Sequence, residues 1–289
     1  MSLIYKLAGG LGNQLFSVSE GFSLFNLFGQ KVFFDISSVE HSANPEVEIN
    51  QWMQGLGNWF QIGNFEEELE SKAGVNLCDS SDEEIKSTNL SSKYFYGWRP
   101  NIAIVKRSGL FQSNVLPESF KNLLGPSIHK YSHGLHLRLG DYLNSGALGG
   151  NIALDRKYLL KIAEDFKRAS KFSELLVVSD DVFNAQLLLS LLNLDMGRIT
   201  ITSRSPISDL CQLSLCAKIY ASPSTFSFWS AYFSKAEVFF PKPFYFSNPH
   251  WESKLIDSNW HQITRVSFLR RLMLELSFFA KKLFSAVRK

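Results

Sequence analysis

His136-Leu137-Arg138-Leu139-Gly140-Asp141-Tyr142 closes an apolar-leaning run and opens onto a Gly-, Asn- and Ser-rich segment from Asn144 to Asn151. It reads as a strand that ends in a functional loop. His136, Arg138 and Asp141 bring three chemically able side chains to that strand end. In an open α/β sheet, ligands bind in the crevice outside the carboxyl ends of the strands. A guanidinium there suits a phosphate or a carboxylate, because its planar fork donates two parallel hydrogen bonds. An ordinary loop with a surface Arg138–Asp141 ion pair is the plain alternative, and this stretch alone does not separate the two.

Working outward, the same pattern repeats. Tyr158 to Ala169 has helical spacing, and Leu175-Leu176-Val177-Val178 reads as a buried parallel-type strand ending in the polar Ser179-Asp180-Asp181. A helix over Phe183–Leu192, a strand over Ile199–Thr202, a helix over Asp209–Ala217 and a strand over Lys218–Ala221 follow. Pro223-Ser224-Thr225-Phe226-Ser227 opens a further helix to about Phe233, with Ser224 or Thr225 as N-cap. Glu237–Phe240 reads as a strand closed by Pro241 and Pro243. Upstream, Leu3–Leu7 is a strand and Gly9 to Gln14 a tight glycine-rich turn. Leu15–Phe28 is a helix stopped by Gly29, and Lys31–Asp35 is a second strand.

The fold class is therefore α/β, with two Rossmann-like halves facing a cleft. The N-terminal half spans residues 1–130 and the C-terminal half 131–262, followed by a tail over 263–289. Between Ile36 and Tyr131 the pattern is less regular. Trp52, Trp59, Phe60 and Trp98 provide anchors there, and the acidic runs at Glu66–Glu70 and Asp79–Glu84 read as solvated surface. Tyr94-Phe95-Tyr96-Gly97-Trp98 reads as core packing, with substrate lining as the alternative.

Composition narrows the classes. A chain of 289 residues with 45% hydrophobic residues can bury a sizeable core. A net charge of +3 is too small to argue for nucleic acid. Seven basic residues and one acid lie between Arg265 and Lys289, so the rest of the chain carries −3. Cys78, Cys211 and Cys216 are odd in number and form no CxxC, which points to a reducing compartment. Met1–Leu7 lacks the features of a signal peptide, and no apolar run reaches membrane-spanning length, so a cytoplasmic location is expected.

Several constellations carry chemistry. The start of the helix at Pro223–Ser227 offers backbone N–H groups, hydroxyls and the positive end of a helix dipole, an anion site if it faces the cleft. Gly10-Leu11-Gly12 partly fits a dinucleotide fingerprint, with Asp35 where a ribose-binding acid would stand. Leu15 counts against that, and an oxidoreductase reading leaves Arg138, Ser224 and Thr225 unexplained. Alternatively, Gly10 and Gly12 let the backbone approach a ligand while Asn13 and Gln14 donate hydrogen bonds. Asp180 and Asp181 are a candidate Mg²⁺ or Mn²⁺ pair, though no third acid is near in sequence. No Gly-x-Ser-x-Gly, HExxH or P-loop lysine occurs.

Taken together, Gly10-Leu11-Gly12-Asn13-Gln14, His136-x-Arg138-x-Gly140-Asp141-Tyr142, Ser179-Asp180-Asp181 and Ser222-Pro223-Ser224-Thr225-Phe226-Ser227-x-Trp229-x-Ala231 resemble α-1,2-fucosyltransferases of glycosyltransferase family 11. The resemblance spans about residues 1 to 262 and implies a GT-B-like fold, a GDP-fucose donor and inverting transfer without a metal. It implies that Arg138 neutralises the β-phosphate of leaving GDP. Ser224, Thr225 and Phe226 would hold the phosphates and ribose, Asp209 would pair with guanine, and Gly10, Asn13 and Gln14 would line the cleft. Asp180 falls with the donor-binding residues and His136 with the catalytic ones. Asp141 is the candidate base, or else the residue that positions Arg138. Many relatives read His-x-Arg-Arg-Gly-Asp-Tyr, and here Leu139 replaces the second arginine. A non-catalytic nucleotide-sugar binder is the competing reading. The acceptor implied is a glycan ending in galactose.

The tail from Phe268 to Val287 is expected to be an amphipathic helix. Leu269, Leu272, Leu276 and Leu283 fall on one face, and Arg270, Arg271, Lys281 and Lys282 on the other. Peripheral contact with an anionic bacterial inner-membrane surface is the favoured role, suited to a lipid-linked acceptor. Packing back onto the body is the alternative.

Overall fold

A computed structural model describes residues 3–39, 60–63, 65, 73–77, 93–97, 101–110, 131–139, 156–242 and 260–264, with Ile49, Met53, Ile85 and Phe120 as isolated positions. The N-terminal strands are β1 (Leu3–Ala8), β2 (Val32–Ser38), β3 (Phe60–Gly63), β4 (Ala73–Asn76) and β5 (Lys93–Tyr96). Their helices are α1 (Leu11–Phe28) and α2 (Ile102–Ser108). The C-terminal half runs β6 (His133–Leu137), α3 (Arg156–Arg168), β7 (Leu175–Ser179), α4 (Val182–Leu191), β8 (Ile199–Thr202), α5 (Pro206–Ser214), β9 (Lys218–Tyr220), α6 (Thr225–Tyr232), β10 (Glu237–Lys242) and β11 (His261–Thr264).

Among the described residues these strands form two all-parallel sheets, in the orders β3-β2-β1-β5-β4 and β11-β10-β9-β6-β7-β8. The α/β class with two Rossmann-like halves is thus as the sequence implies. All five residues of β6 and all five of β7 are buried, as expected of strands covered by helices on both faces. The second sheet has the doubly wound order: the strands run outward from β6 through β7 to β8 on one side and from β9 through β10 to β11 on the other, so the winding reverses between β6 and β9. In open α/β sheets a switch point of this kind is where ligands bind.

The two halves meet through helices rather than across solvent. One apolar cluster joins Leu15, Phe16 and Phe22 of α1 to Phe228 and Trp229 of α6 and Leu210 and Leu213 of α5. The Phe16 ring lies 4.9 Å from the rings of both Phe228 and Trp229. A second cluster lies on the opposite face of the second sheet. There Leu135, Leu137 and Leu139 pack with Tyr158, Leu159, Ile162 and Phe166 of α3.

Several boundaries differ from the sequence reading, each for a local reason. Helix α1 begins at Leu11, not Leu15, because the Gly10 carbonyl already accepts from the N–H groups of Asn13 and Gln14 at 2.9 and 3.1 Å. The glycine-rich turn is therefore only Gly9-Gly10, with Gly9 at φ 73°. Helix α5 begins at Pro206, capped by the Ser205 side chain, three residues before Asp209. Strand β2 continues past Asp35 to Ser38. Strand β10 runs through Pro241, whose register partner is Ile263 of β11 and which lies beyond the last β9 pair at Phe239. A proline is tolerated there because no ladder on the β9 side needs its missing N–H. The expected tail helix over 268–287 lies outside the described residues. No helix among the described residues is long and apolar enough to cross a membrane.

Candidate active site

The site is organised by the period of two along β6. Odd-numbered Leu135, Leu137 and Leu139 enter the α3-side core. Gly134 lies on the other face, where an added Cβ would stand 2.6 Å from Leu213 of α5 and 2.8 Å from Cys216 just beyond that helix. His136 also lies there, and its Nδ1 is 2.6 Å from the Ser227 hydroxyl and 3.3 Å from that of Ser224. The strand thus turns two apolar-looking neighbours, Leu137 and Leu139, away from the face that carries the polar ones. Leu139 is only 5% exposed. Its side chain therefore belongs to the core.

His136 is buried beneath the ring of Phe226, with ring centres 4.8 Å apart. Burial, and secondarily the Arg138 charge, pull its pKa down to about 3. The ring is therefore neutral near pH 7, and its visible role is to anchor the start of α6. Ser222 stitches the same corner. Its hydroxyl donates to the His136 carbonyl at 2.6 Å and accepts from the Arg138 N–H at 3.3 Å, while its N–H donates to Ser227 Oγ at 3.0 Å. Sequence reasoning counted Ser227 only among the hydroxyls of a candidate anion site and gave Ser222 no role of its own; the run of four hydroxyl residues around Pro223 was the signal for this stitching.

Arg138 leaves the end of β6 with its side chain 40% exposed, and its Nε pairs with Asp180 Oδ2 at 3.2 Å. The other oxygen of Asp180 accepts from the Leu139 N–H at 2.8 Å. Asp181 caps α4, accepting from the Asn184 N–H at 3.0 Å. Both acids of the candidate metal pair thus have partners within the chain. Asp141 lies outside the described residues.

Helix α6 starts with Ser224 as N-cap, its hydroxyl accepting from the Ser227 N–H at 3.1 Å. The start of α1 packs directly on it. Thr225 Oγ1 donates to Asn13 Oδ1 at 2.7 Å, and the buried Trp229 indole N–H donates to the Gly12 carbonyl at 2.9 Å. A Cβ on Gly12 would lie 2.5 Å from Phe226 N, whereas one on Gly10 would meet nothing within 4 Å. Of the two fingerprint glycines, only Gly12 is sterically required. Gln14 is buried, and its amide donates to the Gly9 carbonyl at 2.9 Å. The structure therefore brings Gly12 and Asn13 together with Thr225 and Phe226 from opposite halves, with His136, Arg138, Asp180 and Ser224 beside them, whereas Gly10 makes no such approach.

Asp209 stands two strands away, at the carboxyl end of β8. It is 4% exposed, and it accepts from Arg204 N–H at 2.8 Å and Thr202 Oγ1 at 3.3 Å. Burial raises its pKa, opposed by those hydrogen bonds. Asp35, the acid of the oxidoreductase reading, is fully buried. It accepts from Ser37 Oγ at 2.6 Å and Phe65 N–H at 3.0 Å within its own half. A ribose could reach it only by displacing that packing. Cys211 and Cys216 are buried thiols whose pKa burial pushes up to about 12, so neither is a nucleophile.

A family model for glycosyl transferase family 11 matches residues 6–264. The chain belongs to glycosyl transferase family 11. Similar solved structures include the fucosyltransferase NodZ from Bradyrhizobium, at 14% identity over 80% of this chain and 91% of that one, with a TM-score of 0.49. The heptosyltransferase WaaC from E. coli, with ADP, is 9% identical over 92% of this chain and 94% of that one, at 0.48. An Arabidopsis thaliana FUT1 variant in complex with GDP is 10% identical over 82% of this chain and 69% of that one, at 0.42. No curated protein matches the chain significantly in sequence.

Proposed function

We propose that the chain is an inverting fucosyltransferase that moves fucose from GDP-fucose to the 2-hydroxyl of a terminal galactose, forming an α-1,2 linkage without a metal. The observation that carries this reading is Arg138 placed beside the start of α6 at the switch point of the second sheet. Family membership and the motif resemblance supply the sugar and the nucleotide.

In this reading the acceptor hydroxyl attacks the anomeric carbon as its bond to the β-phosphate oxygen breaks. The electron pair leaves with GDP. Arg138 and the first N–H groups of α6 stabilise that charge, which is the larger catalytic term in such chemistry. The hydroxyl proton passes to a base late in the reaction, with Asp141 as candidate. His136 anchors the corner as a neutral ring, and Asp209 receives guanine at the end of β8. The acceptor is a galactose-terminated glycan, carried on a lipid at a membrane surface that the basic tail contacts.

The test is GDP release from GDP-fucose with galactose-terminated acceptors in EDTA, for wild type and Arg138→Ala. Acceptor-dependent release, reduced about 10²–10³-fold in the variant, is the expected result. Dependence on added Mn²⁺ would overturn the metal-free step, and GDP binding without release would favour a binding protein.

A further inference from the structure

Asp180 fell among the donor-binding residues on motif grounds, but its surroundings point elsewhere. A carboxylate is a poor direct partner for a diphosphate, because like charges repel. Both Asp180 oxygens instead face donors of this chain: Oδ1 accepts from the Leu139 N–H at 2.8 Å, and Oδ2 meets Arg138 Nε at 3.2 Å. The first contact is to backbone at the end of β6. Leu139 is itself fixed, since its side chain is buried against α3. Asp180 sits at the start of the β7–α4 turn, which is also pinned. Ser179 Oγ donates to the Leu137 carbonyl at 2.8 Å, and Asp181 caps α4. The carboxylate therefore bridges two rigid strand ends, and Arg138 is held by one edge. Asp180 meets the guanidinium at Nε, and the Nη1/Nη2 pair at its far end is a fork whose geometry suits bidentate phosphate.

We propose that Asp180 is a positioning residue that aims Arg138 at the donor diphosphate, with the buried Leu139 fixing the backbone to which that carboxylate is tied. This rests on the donor-site reading above and assigns Asp180 a part within it. Three roles make opposite forecasts for diphosphate recognition. A positioning carboxylate, when neutralised, weakens the diphosphate grip, because the guanidinium loses its fixed aim. A carboxylate acting only through its charge does the reverse, because removing an anion near an anion strengthens binding. A purely structural carboxylate changes stability and leaves the preference for diphosphate over monophosphate where it was.

The experiment measures GDP and GMP affinities by calorimetry for the full chain as wild type, Asp180→Asn, Arg138→Ala and the double variant. The ratio of the two affinities isolates the β-phosphate. Wild type is expected to prefer GDP, and Arg138→Ala to lower that preference about tenfold or more, as for a lost hydrogen bond to a charged group. Asp180→Asn is expected to lower it in the same direction, and the double variant to lie no lower than Arg138→Ala alone. Asp180→Glu keeps the charge but moves the carboxylate by a methylene, so it is expected to lower the ratio too, and it replaces Asp180→Asn if that variant does not fold. An unchanged or raised ratio in the Asp180 variants overturns the proposal. A wild type with no preference for GDP over GMP overturns the donor-site reading first, before any Asp180 variant is measured.

Discussion

Gly12 and Gly10 look alike in the sequence and differ sharply in the fold, so replacing each by alanine tests the α1–α6 contact directly. Gly12 adopts ordinary helical backbone in the first turn of α1, and alanine there gains about 0.5–1 kcal/mol of helix propensity. Against that, its Cβ would stand 2.5 Å from Phe226 N and 2.6 Å from the Thr225 carbonyl carbon, both backbone atoms of α6. No side-chain rotation relieves backbone clashes, so the two helices must move apart at a cost of about 1–3 kcal/mol. Separation also strips the Gly12 carbonyl from the buried Trp229 N–H, whose orphaning costs about 1–3 kcal/mol. The net is a destabilisation of about 2–5 kcal/mol, or a midpoint lowered by roughly 5–15 °C for a domain of this size. Gly10→Ala adds a Cβ into open space at φ −73° and is expected to cost less than about 1 kcal/mol as an N-cap change. Thermal unfolding of the two variants by circular dichroism makes the comparison. Equal midpoints would refute the close approach of α1 and α6, and with it the joining of the halves at their helix starts.

Other perturbations follow from the same corner. Leu139→Ala removes a buried side chain from the α3-side core and is expected to cost about 2–4 kcal/mol in urea unfolding and, by loosening the backbone that holds Asp180, to lower the GDP to GMP affinity ratio. His136 is neutral when folded, down to about pH 3, and takes up a proton near 6.5 when unfolded. Its contribution is therefore complete above 6.5 and is lost as pH falls from there toward 3, at up to about 1.4 kcal/mol per pH unit. Urea unfolding at pH 7 and pH 5 should show a smaller loss in His136→Asn than in wild type; equal losses would count against a buried neutral ring. Asp209→Asn replaces one acceptor oxygen by an N–H₂ group. It is expected to reduce the preference for GDP over ADP in competition binding, and an unchanged preference would remove Asp209 from the base site.

What the sequence made legible was mostly periodic. The continuous apolar run at Leu175–Val178 announces a parallel strand, the apolar-leaning stretch at β6 another, and the strand–helix alternation orders them. Boundaries failed where the local signal was ambiguous. Leu11-Gly12-Asn13-Gln14 contains a glycine and two residues common in turns, and no Ser, Thr or Asp caps the helix they begin. Ser205-Pro206 did carry a start signal for α5, a capping serine followed by proline at the first helical position. Strand β11 is four residues long, too short to show a period. The pairs that build the site were illegible for a different reason. Asn13 and Thr225 are 212 residues apart, and Arg138 meets Asp180 only because β6 and β7 are neighbours in the sheet.

The alternation along β6 also explains why the motif reads as it does. Residues that must face α5 and α6 are small or polar, Gly134 and His136, while those facing α3 are Leu135 and Leu137, with the His133 ring against Phe166 at the strand's start. A change at an odd position of this strand is therefore a packing change, and a change at an even position a change at the corner with α6. The helix starts that meet there carry no acidic residue in their first turns. Two positive dipole ends placed together repel by a few tenths of a kcal/mol or more, and adding Arg138 nearby increases the local positive potential. Aromatic packing of Phe16 on Phe228 and Trp229 holds the arrangement in place. The α1–α6 contact is thus packed before any ligand arrives, and in the proposed reaction it would present the start of α6 and the Asp180-paired Arg138 to an anion. Preorganised donors of that kind lower the energy of charge developing on a leaving diphosphate without reorganising as it forms.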